Sequence, residues 1–180
     1  MLNVLKLASL VVALAFLAPT APTIRAQSSG DQSKQLNAPP NPYIDKGVCP
    51  FECCTYREWT ANEAIELLDQ PNGKKIVAHI QKGEKVQGLT GEVHSVPLRV
   101  VASHDQPDAN IKRGDVYYVL HYSGECYWTV WHNGQLAEAE NCSDEGPHPQ
   151  STWWVKVKTA SGVTGWTVSR GNFSNQDACG

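Results

Sequence analysis

Apolar and polar positions alternate with a period of two along most of the chain from Trp59 onward. Trp153, Val155 and Val157 alternate with Trp154, Lys156 and Lys158, so a strand there carries one apolar and one amphipathic face. A Gly-bearing turn at Ser161-Gly162 follows, and Gly165-Trp166 opens a second run. Glycine at 165 lets two backbones approach closely before a large ring is buried. Ile76–Ile80, Lys85–Thr90 and Val96–Ala102 are further strand runs, with Pro97 placing the start of the last at an edge. Val116–Tyr122 and Tyr127–His132 are the richest in aromatic and β-branched residues. Asn133-Gly134 is a two-residue hairpin signal, returning the chain through Leu136–Glu140.

One segment is ambiguous. Thr60-Ala-Asn-Glu63 matches a helix capping box, but Ala61, Ile65 and Leu67 keep strand alternation and Pro71-Asn72-Gly73 breaks the segment early. A strand is the expectation there. Short strands, Gly turns and no long helical period predict an all-β barrel or sandwich. Lys82-Gly83-Glu84 and Arg113-Gly114-Asp115 repeat one pattern: basic, Gly, acidic, then a strand with Leu six positions after the Gly (Leu89, Leu120). The pattern is a tight turn feeding an antiparallel strand, so turn chemistry rather than integrin adhesion explains the Arg-Gly-Asp tripeptide.

The N-terminus changes the picture of compartment. One positive charge in Met1–Lys6, an apolar run of twelve residues from Leu7 to Ala18 and a small, Pro-rich exit make residues 1–26 a secretory signal, with cleavage expected after Ala26. The run is short for a membrane anchor, the alternative reading. Cleavage removes Lys6 and Arg25 from the 15 basic residues and none of the 18 acidic ones, leaving a net charge of −5. That balance argues against a nucleic-acid partner, and nothing after Ala26 predicts a membrane partner. Residues 27–47 read as a disordered or extended tether, with Tyr43 and Ile44 docking loosely on the folded part.

Six cysteines in an exported chain read as a disulfide framework: Cys49, Cys53, Cys54, Cys126, Cys142 and Cys179. A hairpin about Asn133-Gly134 sets Cys126 almost opposite Asn141, so a Cys126–Cys142 bridge needs only a small bulge. Cys179 then pairs with one of Cys49, Cys53 and Cys54. The competing reading of the 48–58 segment is a metal or redox site, which its three cysteines cannot complete alone. No cofactor is expected.

The run Trp153–Val157 followed by Gly162-Val163-Thr164-Gly165-Trp166-Thr167-Val168 resembles the closing hairpin of bacterial SH3-like (SH3b) domains. Pro71-Asn72-Gly73, Ile76–Ile80 and Lys82–Val86 resemble their opening strands. The resemblance implies a small, bent antiparallel barrel over residues 59–172, exported to the envelope or periplasm and serving as a targeting or ligand-binding module. The family unit is shorter than this span, so residues from about 103 to 150 are expected to be an insertion carrying a disulfide-bearing hairpin. Two intertwined barrels are the alternative. Residues 173–180 form a tail pinned by Cys179.

No nucleophile constellation emerges. His79, His94, His104, His121, His132 and His148 are scattered, and Glu138 and Glu140 lie on one face of a returning strand. The aromatic residues instead favour binding: a small barrel cannot bury both alternating sets, and outward rings with polar edges suit sugars or extended peptides. Tyr118, Trp128 and Trp154 are the candidate ligand contacts. The expected function is a non-catalytic binding module for a cell-wall glycan or peptide. The alternatives are a structural protein binding another envelope protein through its tether and cysteine-rich segment, or a cell-wall hydrolase. Asn141-Cys-Ser and Asn172-Phe-Ser fit the glycosylation acceptor pattern, a coincidence if the source is bacterial.

Overall fold

A computed structural model of the chain describes residues 37–142 and 147–179. The expected secretory signal and residues 27–36 of the expected tether lie outside the described residues. The protein is all-β, with twelve strands among these residues: β1 (Tyr43–Lys46), β2 (Glu58–Ala61), β3 (Ile65–Leu68), β4 (Ile76–Ile80), β5 (Lys85–Val96), β6 (Leu98–Val101), β7 (Val116–Gly124), β8 (Tyr127–His132), β9 (Gln135–Glu140), β10 (Gln150–Thr159), β11 (Thr164–Val168) and β12 (Phe173–Ser174). They form two antiparallel sheets. The larger is a curled, barrel-like sheet ordered β12-β2-β5-β10-β11-β3-β4, with β1 paired to the far end of the long strand β5. The smaller is the meander β6-β7-β8-β9.

Local chemistry accounts for the elements. The capping-box segment at Thr60 is strand, not helix, because Trp59, Ala61, Ile65 and Leu67 alternate into one core. Asn133 and Gly134 take φ of 50° and 84°, the left-handed pair that a two-residue hairpin needs. Pro97 ends β5 and its neighbour Leu98 begins β6, an edge strand of the smaller sheet. Proline removes a ladder donor, so the chain changes sheets where it costs least. The smaller sheet therefore begins at Leu98 and lies in sequence as an insert between β5 and β10, which pair with each other in the larger, host sheet. Tyr43–Lys46 is also firmer than a tether: β1 pairs in register with Ser95–Glu92.

The inserted meander repeats the host sheet. β6-β7-β8-β9 has the connectivity and register of β2-β5-β10-β11: Trp59 faces Val86 as Val100 faces Tyr117, and Val157 faces Gly88 as Val130 faces Val119. The register slips at the same place in each copy, past Leu89 in the host and past Leu120 in the insert, and the insert slips a second time between Tyr122 and Gly124. The feeding turns match as well. The amides of Gly83 and Gly114 donate to the Ala61 and Ala102 carbonyls, both at 2.8 Å, and the carboxylates of Glu84 and Asp115 accept from the Gln81 and Lys112 amides at 2.7 and 2.9 Å. Where the host forms the β3–β4 pair, beginning at Ile65 opposite Ile80, the insert keeps one bridge, Gln106 opposite Ile111. Each copy has its own core. Trp59, Leu67, Ile80, Val155, Val157 and Phe173 fill the host, while Ile111, Tyr117, Val130 and Ala139 are central to the insert.

Candidate binding surfaces

Period-two alternation in the insert sends Tyr117 to the core and Tyr118 to the opposite, outer face. Register then sets Tyr118 between Arg99 on β6 and Trp131 on β8, and Trp131 beside Leu136 on β9. The result is a cross-strand row of one cation, two half-buried aromatic rings and an exposed leucine. Arg99, Tyr118 and Trp131 of that row line a groove of about 320 Å³ together with Asp115 and His132, where His132 Nε2 lies 3.5 Å from Asp115 Oδ2. The Trp131 indole is fixed in place: its N–H donates to the carbonyl of Asn37, which also lines the groove, at 2.7 Å, and the Tyr43 ring lies 5.9 Å away. His121 reinforces this contact, since its Nε2 lies 2.9 Å from Asp45 Oδ2 on β1.

Trp128 occupies the other face of the same sheet. Its ring stacks on His148 at 5.2 Å and 18°, its N–H donates to the Asn141 carbonyl at 3.2 Å, and it roofs a cavity of about 170 Å³ inside the insert. Tyr118 and Trp128 are thus on opposite sides of one sheet and cannot share a ligand. Trp154 is a correction. It stands on the outer face of the host sheet, opposite Glu92, yet it is only 8 % exposed. The His94 ring lies 6.4 Å from it, and His94 is itself held by Glu92 Oε2 at 3.0 Å and by the Asn72 amide at 3.3 Å. Trp154 offers no free ring face for stacking. The sequence reading missed Arg99 and Trp131; counting back from Asn133-Gly134 places Trp131 opposite Leu136 and could have found the latter.

All six cysteines are bonded, as Cys49–Cys54, Cys53–Cys179 and Cys126–Cys142. Asn141 N–H donates to the Cys126 carbonyl at 2.8 Å, the pairing expected of the hairpin. Glu52, Cys53 and Cys179 converge, but both sulfurs are spent in a disulfide and a lone carboxylate does not make a metal site. With every thiol consumed, a cysteine nucleophile has no atom to act through. The Asn172 amide donates to the Val168 carbonyl at 2.9 Å, so a glycan there would cost a turn its hydrogen bond.

Among the described residues five ionisations depart from their ordinary values; burial raises the Tyr43 phenol, and the hydrogen bond to Glu58 raises the Lys85 ammonium. Burial pushes the Tyr56 phenol up to about 12, against the pull of the adjoining Trp153 side chain. A hydrogen bond to Glu125, and that residue's charge, raise the Glu52 carboxyl, joining the cysteine-rich segment to the β7–β8 turn. Asp105 is lowered, chiefly because its Oδ1 accepts the Arg113 backbone N–H at 2.9 Å, with Lys112 adding its charge. The Arg-Gly-Asp tripeptide is therefore turn hardware, its Asp115 tied to Lys112 N–H and its Arg113 amide tied to Asp105.

Comparison with protein-family models, with curated proteins and with solved structures finds no match to this chain.

Proposed function

We propose that this protein is an exported, non-catalytic SH3-like binding module that holds a cell-wall glycan or peptide on the outer face of its inserted sheet. The observation that carries the reading is the row Arg99–Tyr118–Trp131–Leu136. Two aromatic rings fixed side by side on a rigid sheet present flat, amphipathic area at little entropic cost. Arg99 and Asp115 flank them with opposite charges, which suits ligands carrying both carboxylates and amines, such as peptide-bearing glycans. Three disulfides support an oxidising compartment. Among the described residues no helix is long and apolar enough to cross a membrane.

Cosedimentation with purified peptidoglycan tests the reading. The wild type should pellet with the sacculi and Trp131→Ala should remain in the supernatant. Equal recovery of the two proteins in either fraction counts against it.

A further inference from the structure

The two copies of the sheet differ most where the host core is fullest. In the host, the Trp59 indole is fully buried and lies across Gly88, whose missing side chain makes room: a Cβ there would sit 2.8 Å from the ring. The buried indole N–H donates to the Thr55 carbonyl at 3.0 Å. In the insert, register puts Val100 at the place of Trp59 and Val119 at the place of Gly88. Both valines line the cavity of about 170 Å³ beneath Trp128. A third exchange is chemical. Ile65, buried in the host, corresponds to Gln106, which also lines the cavity. The Gln106 backbone is pinned on both sides by Ile111, and its side-chain Oε1 is buried and accepts no hydrogen bond among the described residues.

We propose that this cavity is a binding site for a small planar aromatic ring bearing one N–H or O–H donor. The apolar walls, Val100, Val119, Val130 and Ala139, take the ring, and Gln106 Oε1 takes the donor. A buried acceptor without a donor costs stability, and natural cores keep one where something completes it. Water is a poor occupant, because it needs two to four polar partners and these walls are largely apolar. The exposed His148, stacked on Trp128, and the exposed Pro147 form the rim by which a ring enters. The ligand restores in the insert what Trp59 supplies permanently in the host. The site faces away from the Tyr118–Trp131 row and is independent of it.

Titration of the full, oxidised protein with indole, p-cresol and toluene, followed by ¹H–¹⁵N and methyl NMR, tests the proposal. Indole and p-cresol should bind saturably, with intermolecular NOEs to the Ala139 methyl group. Toluene, which has the p-cresol shape without its donor, should bind about tenfold more weakly, and Gln106→Leu should erase that preference. Ala139→Leu should fill the space and abolish binding; if that variant does not fold, the NOEs of the wild type locate the ring without it. N-acetyltryptophanamide separates the sources: its binding marks a side chain presented by a peptide, and its exclusion while indole binds marks a free small molecule. Absence of saturable shifts with indole and p-cresol, or NOEs confined to residues outside the cavity, would overturn the site. Trp131→Ala should leave indole binding unchanged, so failure here and failure of the outer row are read separately.

Discussion

Leu89 and Leu120 occupy the same bulged position in two copies of one motif, yet Leu89 is 41 % exposed and Leu120 is completely buried. A bulge turns its residue out of the ladder and bends the strand. In the host that side chain meets solvent. In the insert it is fully buried yet belongs to neither core cluster, and its strand β7 packs against β5 and β10. Leu120 is thus a bolt between the two sheets. Leu120→Ala should cost about 2–5 kcal/mol in urea unfolding, as buried leucine truncations do, while Leu89→Ala should cost well under half of that. Equal effects would place the sheet-to-sheet contact elsewhere.

Gly165 carries a different kind of constraint. A Cβ there would lie 2.7 Å from Leu67 Cβ, 2.7 Å from Val77 Cγ2 and 3.0 Å from the Leu68 carbonyl oxygen. Backbone and packed core on all sides leave nowhere to move. Gly165→Ala should destabilise the fold by about 1–3 kcal/mol through overpacking, measured by thermal or urea unfolding. Gly134, with a φ of 84° and nothing near its missing Cβ, should respond to alanine through backbone strain alone, by about 1 kcal/mol.

The close approach at Gly165 was legible in the sequence, as were the strand runs, the Asn133-Gly134 hairpin, the Cys126–Cys142 bridge and the shared Gly83 and Gly114 turns. These are local features, fixed by φ, by period and by short register counts. What stayed hidden depends on contacts far apart in the chain. Trp154 obeys alternation by leaving the core, but burial on that face is decided by His94 from another strand and by Asn72 from a distant turn. Tyr43–Lys46 follows a proline-rich stretch whose composition resembles a linker, and only the free edge of β5 makes it a strand. The duplication was half visible, because the turns survive in sequence while Trp59 and Gly88 became Val100 and Val119.

The disulfides should rank by the chain they enclose. Cys53–Cys179 spans 126 residues and Cys126–Cys142 spans 16, for which chain entropy gives about 5 and about 3 kcal/mol respectively. The double serine variant of the first pair should therefore lower the urea midpoint more than that of the second. A reversed order would mean that the hairpin bridge carries native-state packing beyond its loop.

Acid and base should act on opposite ends of the insert. Asp105 has a lowered pKa, so the unfolded chain binds more protons than the native one in that window. Its contribution is present above the unfolded value and is lost as pH falls through the native value. Glu52 is raised, so the native state keeps a proton that the unfolded chain releases, and stability declines as pH rises through that interval. Urea midpoints against pH should accordingly show a shallower acid decline in Asp105→Asn. Glu125→Gln should lessen the decline due to Glu52, because Glu125 is the chief cause of that shift. Both groups are fully exposed, so salt should weaken each effect.

The outer row is the centre of the functional account, and residue-resolved NMR with a soluble peptidoglycan fragment addresses it most directly. Binding through that row predicts shifts concentrated on Arg99, Tyr118, Trp131 and Leu136, with the indole N–H of Trp131 among the largest. Shifts that spare those residues, or no shifts at saturating fragment, would contradict it.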